Sequence, residues 1–134
     1  MLVPNGQMGA VLHCQRLKRG LDLAGLRALV GHVMETFNIS LVATERPFIG
    51  GYARATASQR EKHSVVKTLC QEQRIKLVSY GPPEVKKALT GNGRASKEQM
   101  IRAVHRLLRF DAPDEHTGDA AAIGALAMSR ERAR

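Results

Sequence analysis

Two short runs of strand character, Ser40-Leu41-Val42-Ala43-Thr44 and Ile75 to Tyr80, alternate along this chain with helical stretches, and no other feature constrains the fold as much. The first is a continuous apolar run of the kind a buried strand supplies, and it ends directly in Glu45. The second alternates apolar and polar residues until Gly81-Pro82-Pro83 stops it and puts proline at a helix start. Upstream, Asp22 can cap a helix whose apolar positions Leu23, Leu26, Leu29, Val30, Val33 and Phe37 recur at three- and four-residue steps. Pro47 and Gly50-Gly51 break the chain before a second helix, about Ala55 to Gln73, with Val65, Val66, Leu69 and Cys70 on its inward face. A short helix, Glu84 to Leu89, leads to the loop Gly91-Asn92-Gly93. Ser96 and Gln99 then form a capping-box pattern for a helix to about Arg109. After the link Asp111-Ala112-Pro113-Asp114, an alanine-rich last helix is expected from about His116 to Arg130. Strand, helix, strand, helix with short connections predicts an α/β sheet with some parallel strands, whose sites lie beyond the carboxyl ends of the strands. The 134 residues suit a single domain, 1–134, with a basic tail over 130–134.

Charge narrows the function. The 21 Lys and Arg exceed the 12 Asp and Glu by nine, an excess that points to a polyanion. With two Tyr, three Phe and no Trp, a nucleic acid would be held through its phosphates rather than on a broad aromatic platform. No run approaches the roughly 20 apolar residues of a spanning helix, and the first residues lack a signal peptide's basic start, so a cytoplasmic protein away from membranes is expected. Cys14 and Cys70 have no CxxC or His-partnered spacing and read as reduced thiols.

His116 and Asp119, three apart at the start of the last helix, project from one helical face. With Glu45 they would make an oxygen-rich site with one imidazole, suited to Mg²⁺ or Mn²⁺ acting on a phosphodiester. Taken alone, a His and an Asp at a helix start are more often a capping arrangement and a solvated face.

Three segments carry a resemblance. Tyr80 to Lys97, YGPPEVKKALTGNGRASK, resembles the signature region of the RuvC family of Holliday-junction resolvases, in which a strand end and P-x-x-V-K precede G-x-G-x-A-x-K. Thr44-Glu45-Arg46-Pro47-Phe48 is similar to that family's strand ending in a catalytic Glu with an aromatic three residues later. His116 to Ile123, HTGDAAAI, resembles its closing helix. The resemblance spans roughly residues 40–130 and implies a ribonuclease-H-like mixed sheet flanked by helices, with the first strand here short or truncated. It implies metal-binding roles for Glu45, His116 and Asp119, with His116 able to serve as general acid or base. It places Lys86 and Lys97 near the scissile phosphate, where a fixed cation stabilises developing charge. Phe48 takes the place of a junction wedge, although a loop phenylalanine folded onto its own core is nearly as good a reading. Arg54, Arg60, Lys62, Lys67, Lys87 and Arg94 are further candidates for phosphate contact.

One departure bears on activity. Where the family's first strand ends in an Asp-Pro-Gly turn that supplies the central metal-bridging carboxylate, the nearest match here is Val3-Pro4-Asn5. Valine cannot bind a cation. The implied function is a homodimeric, Mg²⁺-dependent (Mn²⁺ as substitute) crossover junction endodeoxyribonuclease of recombination and repair, acting on four-way junction DNA beside a branch-migration motor, with cleavage reduced for the chain as written. The alternative is a junction-binding protein without catalysis; a basic ribosomal component explains the charge but not Glu45, His116 and Asp119.

Overall fold

The computed structural model describes residues 20–46 and 53–133, with residues 53–56 described by backbone alone. The elements are α1 (Leu23–Thr36), β1 (Leu41–Glu45), α2 (Ala53–Gln73), β2 (Lys76–Tyr80), α3 (Pro82–Thr90), α4 (Lys97–Leu108) and α5 (Glu115–Arg132). They fall into two compact units that divide between Ser79 and Tyr80. Residues 1–19, including Val3, Cys14 and the expected first strand, lie outside the described residues, as does Phe48.

In the N-terminal unit, Asp22 caps α1: its Oδ1 accepts the Gly25 N–H at 2.7 Å. A Cβ at Gly25 would stand 3.0 Å from that same oxygen, so glycine keeps the cap open. α1 packs on α2, and Met34, Leu69 and Cys70 form the buried centre, with Val30, Ile39, Val42, Val65, Val66, Ile75 and Leu77 around it. Leu23 and Phe37 depart from their expected inward placement, being 40% and 41% exposed: Leu23 is the first residue of α1 and Phe37 its C-cap, outside the central turns that carry buried Leu26 and Met34. β1 and β2 are hydrogen-bonded neighbours joined by the α2 crossover, which leaves both strands parallel.

In the C-terminal unit, α3, α4 and α5 pack against one another. Proline occupies the first turn of α3, where an amide hydrogen would go unused. Gly91 ends the helix at φ 81°, a left-handed conformation that glycine adopts without a side-chain penalty. The capping box at α4 is complete: Gln99 N–H donates to Ser96 Oγ at 3.2 Å and Ser96 N–H to Gln99 Oε1 at 2.9 Å. Met100, Ala103, Val104 and Leu108 face inward, as do Ala122, Ile123, Ala125, Leu126 and Ala127 of α5. Small alanine side chains let the helices approach closely. α5 runs to Arg132, so Arg130 is helical rather than part of a basic tail: it pairs with Glu84 at 2.7 Å and lies 4.8 Å from the centre of the Tyr80 ring.

Candidate active site and its surroundings

The C-terminal unit brings four of the expected residues into one electrostatic neighbourhood. Asp114, not His116 or Asp119, is the α5 N-cap; its Oδ1 accepts from Thr117 N–H at 2.8 Å and from Thr117 Oγ1 at 3.1 Å. The capping alternative for the pair is thereby removed, and His116 and Asp119 project exposed from the first turns of α5. Although Asp119 is exposed as a residue, partial loss of hydration and then the neighbouring Glu115 carboxylate push its carboxyl above its ordinary value. His116, Lys86 and Lys97 act in the opposite sense. Lys86 projects half-buried from α3 and Lys97 is the first residue of α4.

Glu115 is a residue that the sequence pattern did not single out, because it falls between the Asp111–Asp114 link and the expected helix start at His116. It opens α5 four residues before Asp119, a spacing that places both carboxylates on one helical face. Its Oε2 accepts from Lys97 Nζ at 3.0 Å, and this hydrogen bond is the main cause holding the Lys97 ammonium above its ordinary value. Both partners are more than half accessible on their side chains, so solvent competes and the pair can open towards another anion.

Glu45 is the exposed last residue of β1, in the N-terminal unit. The preceding Thr44 shares a hydrogen bond with Ser79 of β2 (Oγ1 to Oγ, 2.9 Å), and His63 of α2 reaches the same serine hydroxyl at 3.3 Å. This chain ties the ends of β1 and β2 to α2. Arg54 lies in the first turn of α2, with its side chain outside the described residues; Arg60, Lys62 and Lys67 are exposed further along the helix, and Lys87 and Arg94 are exposed in the other unit.

Charge repulsion between Asp119 and Glu115 is what a hard divalent cation relieves, and carboxylate oxygens are the donors such a cation prefers. Among the described residues no three His, Cys, Asp or Glu side chains gather as a ready-made ligand set. Nor does any described helix have the length and apolarity to cross a membrane.

The α/β order is that of a ribonuclease-H-like fold, and the C-terminal unit carries a helix-borne His/Asp pair beside two lysines, residue types that metal-dependent phosphodiester hydrolysis uses. The family model described as crossover junction endodeoxyribonuclease RuvC matches residues 9–129, and the chain belongs to that family. RuvC of Streptomyces avermitilis is 38% identical over 110 residues, covering 81% of this chain and 61% of that protein. RuvC of Anaeromyxobacter dehalogenans is 32% identical over 130 residues, covering 97% of this chain and 65% of the relative. The chain thus spans about three-fifths of the Streptomyces relative's length. Among solved structures, Thermus thermophilus RuvC in complex with Holliday junction substrate superimposes with a TM-score of 0.84 at 23% identity, covering 98% of this chain and 86% of that one. A further Thermus thermophilus RuvC structure gives 0.75 at 24% identity, over 92% and 80%.

Proposed function

We propose that this chain is a structure-selective DNA endonuclease that resolves four-way junctions by metal-assisted phosphodiester hydrolysis in recombination and repair. The observation that carries this reading is Asp119, a carboxyl with raised proton affinity standing among His116, Glu115, Lys86 and Lys97 in a member of the RuvC family. That a relative of the same fold was solved on a Holliday junction supports the choice of substrate. Asp119 and His116 would hold the cation, Mg²⁺ or Mn²⁺, and the family resemblance assigns Glu45 a metal-binding role as well. When bound, the ion supplies charge stabilisation at the phosphoryl oxygens and a more acidic water. Lys86 positions the phosphate by charge. Lys97, released from Glu115 by the incoming phosphate, adds a second cation. Phe48, Arg54, Lys87 and Arg94 contribute DNA contacts. The chain acts as one nuclease domain in a homodimer, whose two-fold axis suits a four-armed substrate, in the cytoplasm and beside a branch-migration motor. Val3, the nearest match to the family's bridging aspartate, supplies no carboxylate, and slow turnover is expected of the chain as written.

The test is a nicking assay on synthetic four-way junction DNA with Mg²⁺, comparing the wild-type chain with Asp119→Asn. Expected is slow nicking that falls at least about 100-fold in the variant, while junction affinity changes less than about threefold. Equal nicking by both proteins would overturn the site. Tight, salt-sensitive junction binding with no nicking by either would establish the binding-only protein instead.

A further inference from the structure

A cleft in the C-terminal unit is lined by Thr90, Asn92, Gln99, Arg102, Ala103 and Arg106, residues given no part in the hydrolytic site. Its polar groups are sorted by hydrogen-bonding sense. Asn92 Oδ1 already accepts from Arg94 N–H at 2.9 Å, and Gln99 Oε1 from Ser96 N–H at 2.9 Å. Because a backbone N–H must meet oxygen, both amide orientations are fixed and their NH₂ groups remain as donors. Thr90 Oγ1 donates its hydrogen to Lys86 O at 2.7 Å.

Arg102 and Arg106 stand four residues apart on α4, so their guanidinium groups share one helical face and repel. Neither takes part in an ion pair among the described residues. Glu98 stands one turn before Arg102 on α4, but it forms no ion pair with it among the described residues and does not line the cleft. The cleft therefore offers two cationic forks and two amide NH₂ groups and contains no carboxylate. At about 100° per residue, Arg102 and Arg106 also lie on the far side of α4 from Lys97.

We infer that this cleft is a phosphate-binding site separate from the hydrolytic one, and that its ligand is a backbone phosphate of nucleic acid remote from the bond being cut. Guanidinium forks bind phosphate oxygens in bidentate fashion. The lining carries no aromatic side chain on which a base could stack, so the cleft selects the phosphate rather than the base. An anion between the two arginines turns their mutual repulsion into shared attraction.

The experiment has two arms, and neither depends on cleavage, so failure of the nuclease reading leaves it intact. In the first, inorganic phosphate is titrated into the wild-type chain while the side-chain Nε–H signals of Arg102 and Arg106 are followed by NMR; saturable shifts at both are expected. In the second, a 20-base-pair duplex is titrated into wild type and into Arg102→Gln/Arg106→Gln at several salt concentrations. The variant is expected to bind about five- to twentyfold more weakly, with the log–log salt slope reduced in magnitude by about one. Both positions are exposed, and an unchanged melting temperature confirms the fold of the variant. Saturable phosphate shifts with unaltered duplex binding would overturn the nucleic-acid source and assign the cleft to free phosphate. Unsaturable shifts together with an unaltered salt slope would overturn the site.

Discussion

Single residues in this chain are tuned by their immediate neighbours more than by sequence context. Cys70 is 2% exposed in the apolar cluster with Met34 and Leu69, and burial pushes its thiol above the ordinary value. A raised folded value means that the neutral thiol's contribution to stability is complete below the ordinary thiol pKa and is lost as pH rises through the folded value. Melting temperature should therefore fall on the alkaline side, and fall less in Cys70→Ala. Alkylation at pH 8, mapped to the Cys70 peptide, should be at least about 100-fold slower in the native chain than in urea, since attack needs both exposure and thiolate. Comparable rates in the two states would show the thiol to be accessible. Asp119 is raised first by lost hydration as well, and then by a partner four residues earlier. Glu115→Gln removes one cause of its raised proton affinity and frees Lys97, so metal-free protein should show the Asp119 carboxyl titrating lower by NMR.

At the scale of elements, termini do much of the specifying. Every helix of the C-terminal unit begins with a device visible in the sequence: Pro82-Pro83 for α3, the Ser96/Gln99 box for α4 and Asp114 for α5. Ser96→Ala removes the acceptor for the Gln99 N–H and should cost about 1 kcal/mol in urea unfolding. Leu126→Ala, at a 4% exposed position of α5, should cost about 2–5 kcal/mol, because α3 and α4 can close only part of the void. If the Ser96 substitution proved the more damaging, the α4 cap would outweigh core packing in this unit. The positions where pattern reading erred are the ends of elements. Periodicity treats Leu23 and Phe37 like Leu26, but the first residue and the C-cap of α1 stay exposed while its central turns are buried.

For the molecule as a whole, the charge of +9 makes association with DNA a salt-dependent process. If about five phosphates are neutralised, junction affinity should drop roughly 500-fold over a fourfold rise in salt, measured by fluorescence anisotropy. Affinity indifferent to salt would mean that the excess charge serves only solubility. The surplus is not evenly available, however. Arg130 is consumed by Glu84 and Tyr80 and Lys97 is engaged by Glu115, whereas Arg102 and Arg106 stand unpaired among the described residues.

The sequence by itself determined the order of the described elements, the caps of α1 and α4, the carboxylate at the end of β1 and the family. Each of these is a local matter: periodicity, capping chemistry and motif spacing act over a few residues. Only the tertiary structure decided which charges are spent. That Arg130 stacks on Tyr80 fifty residues away, that Glu115 takes Lys97 across eighteen, and that Arg102 and Arg106 share a cleft with Asn92 all depend on how α3, α4 and α5 pack. Charge is read from composition, but whether it is neutralised depends on distance, and distance is fixed by packing.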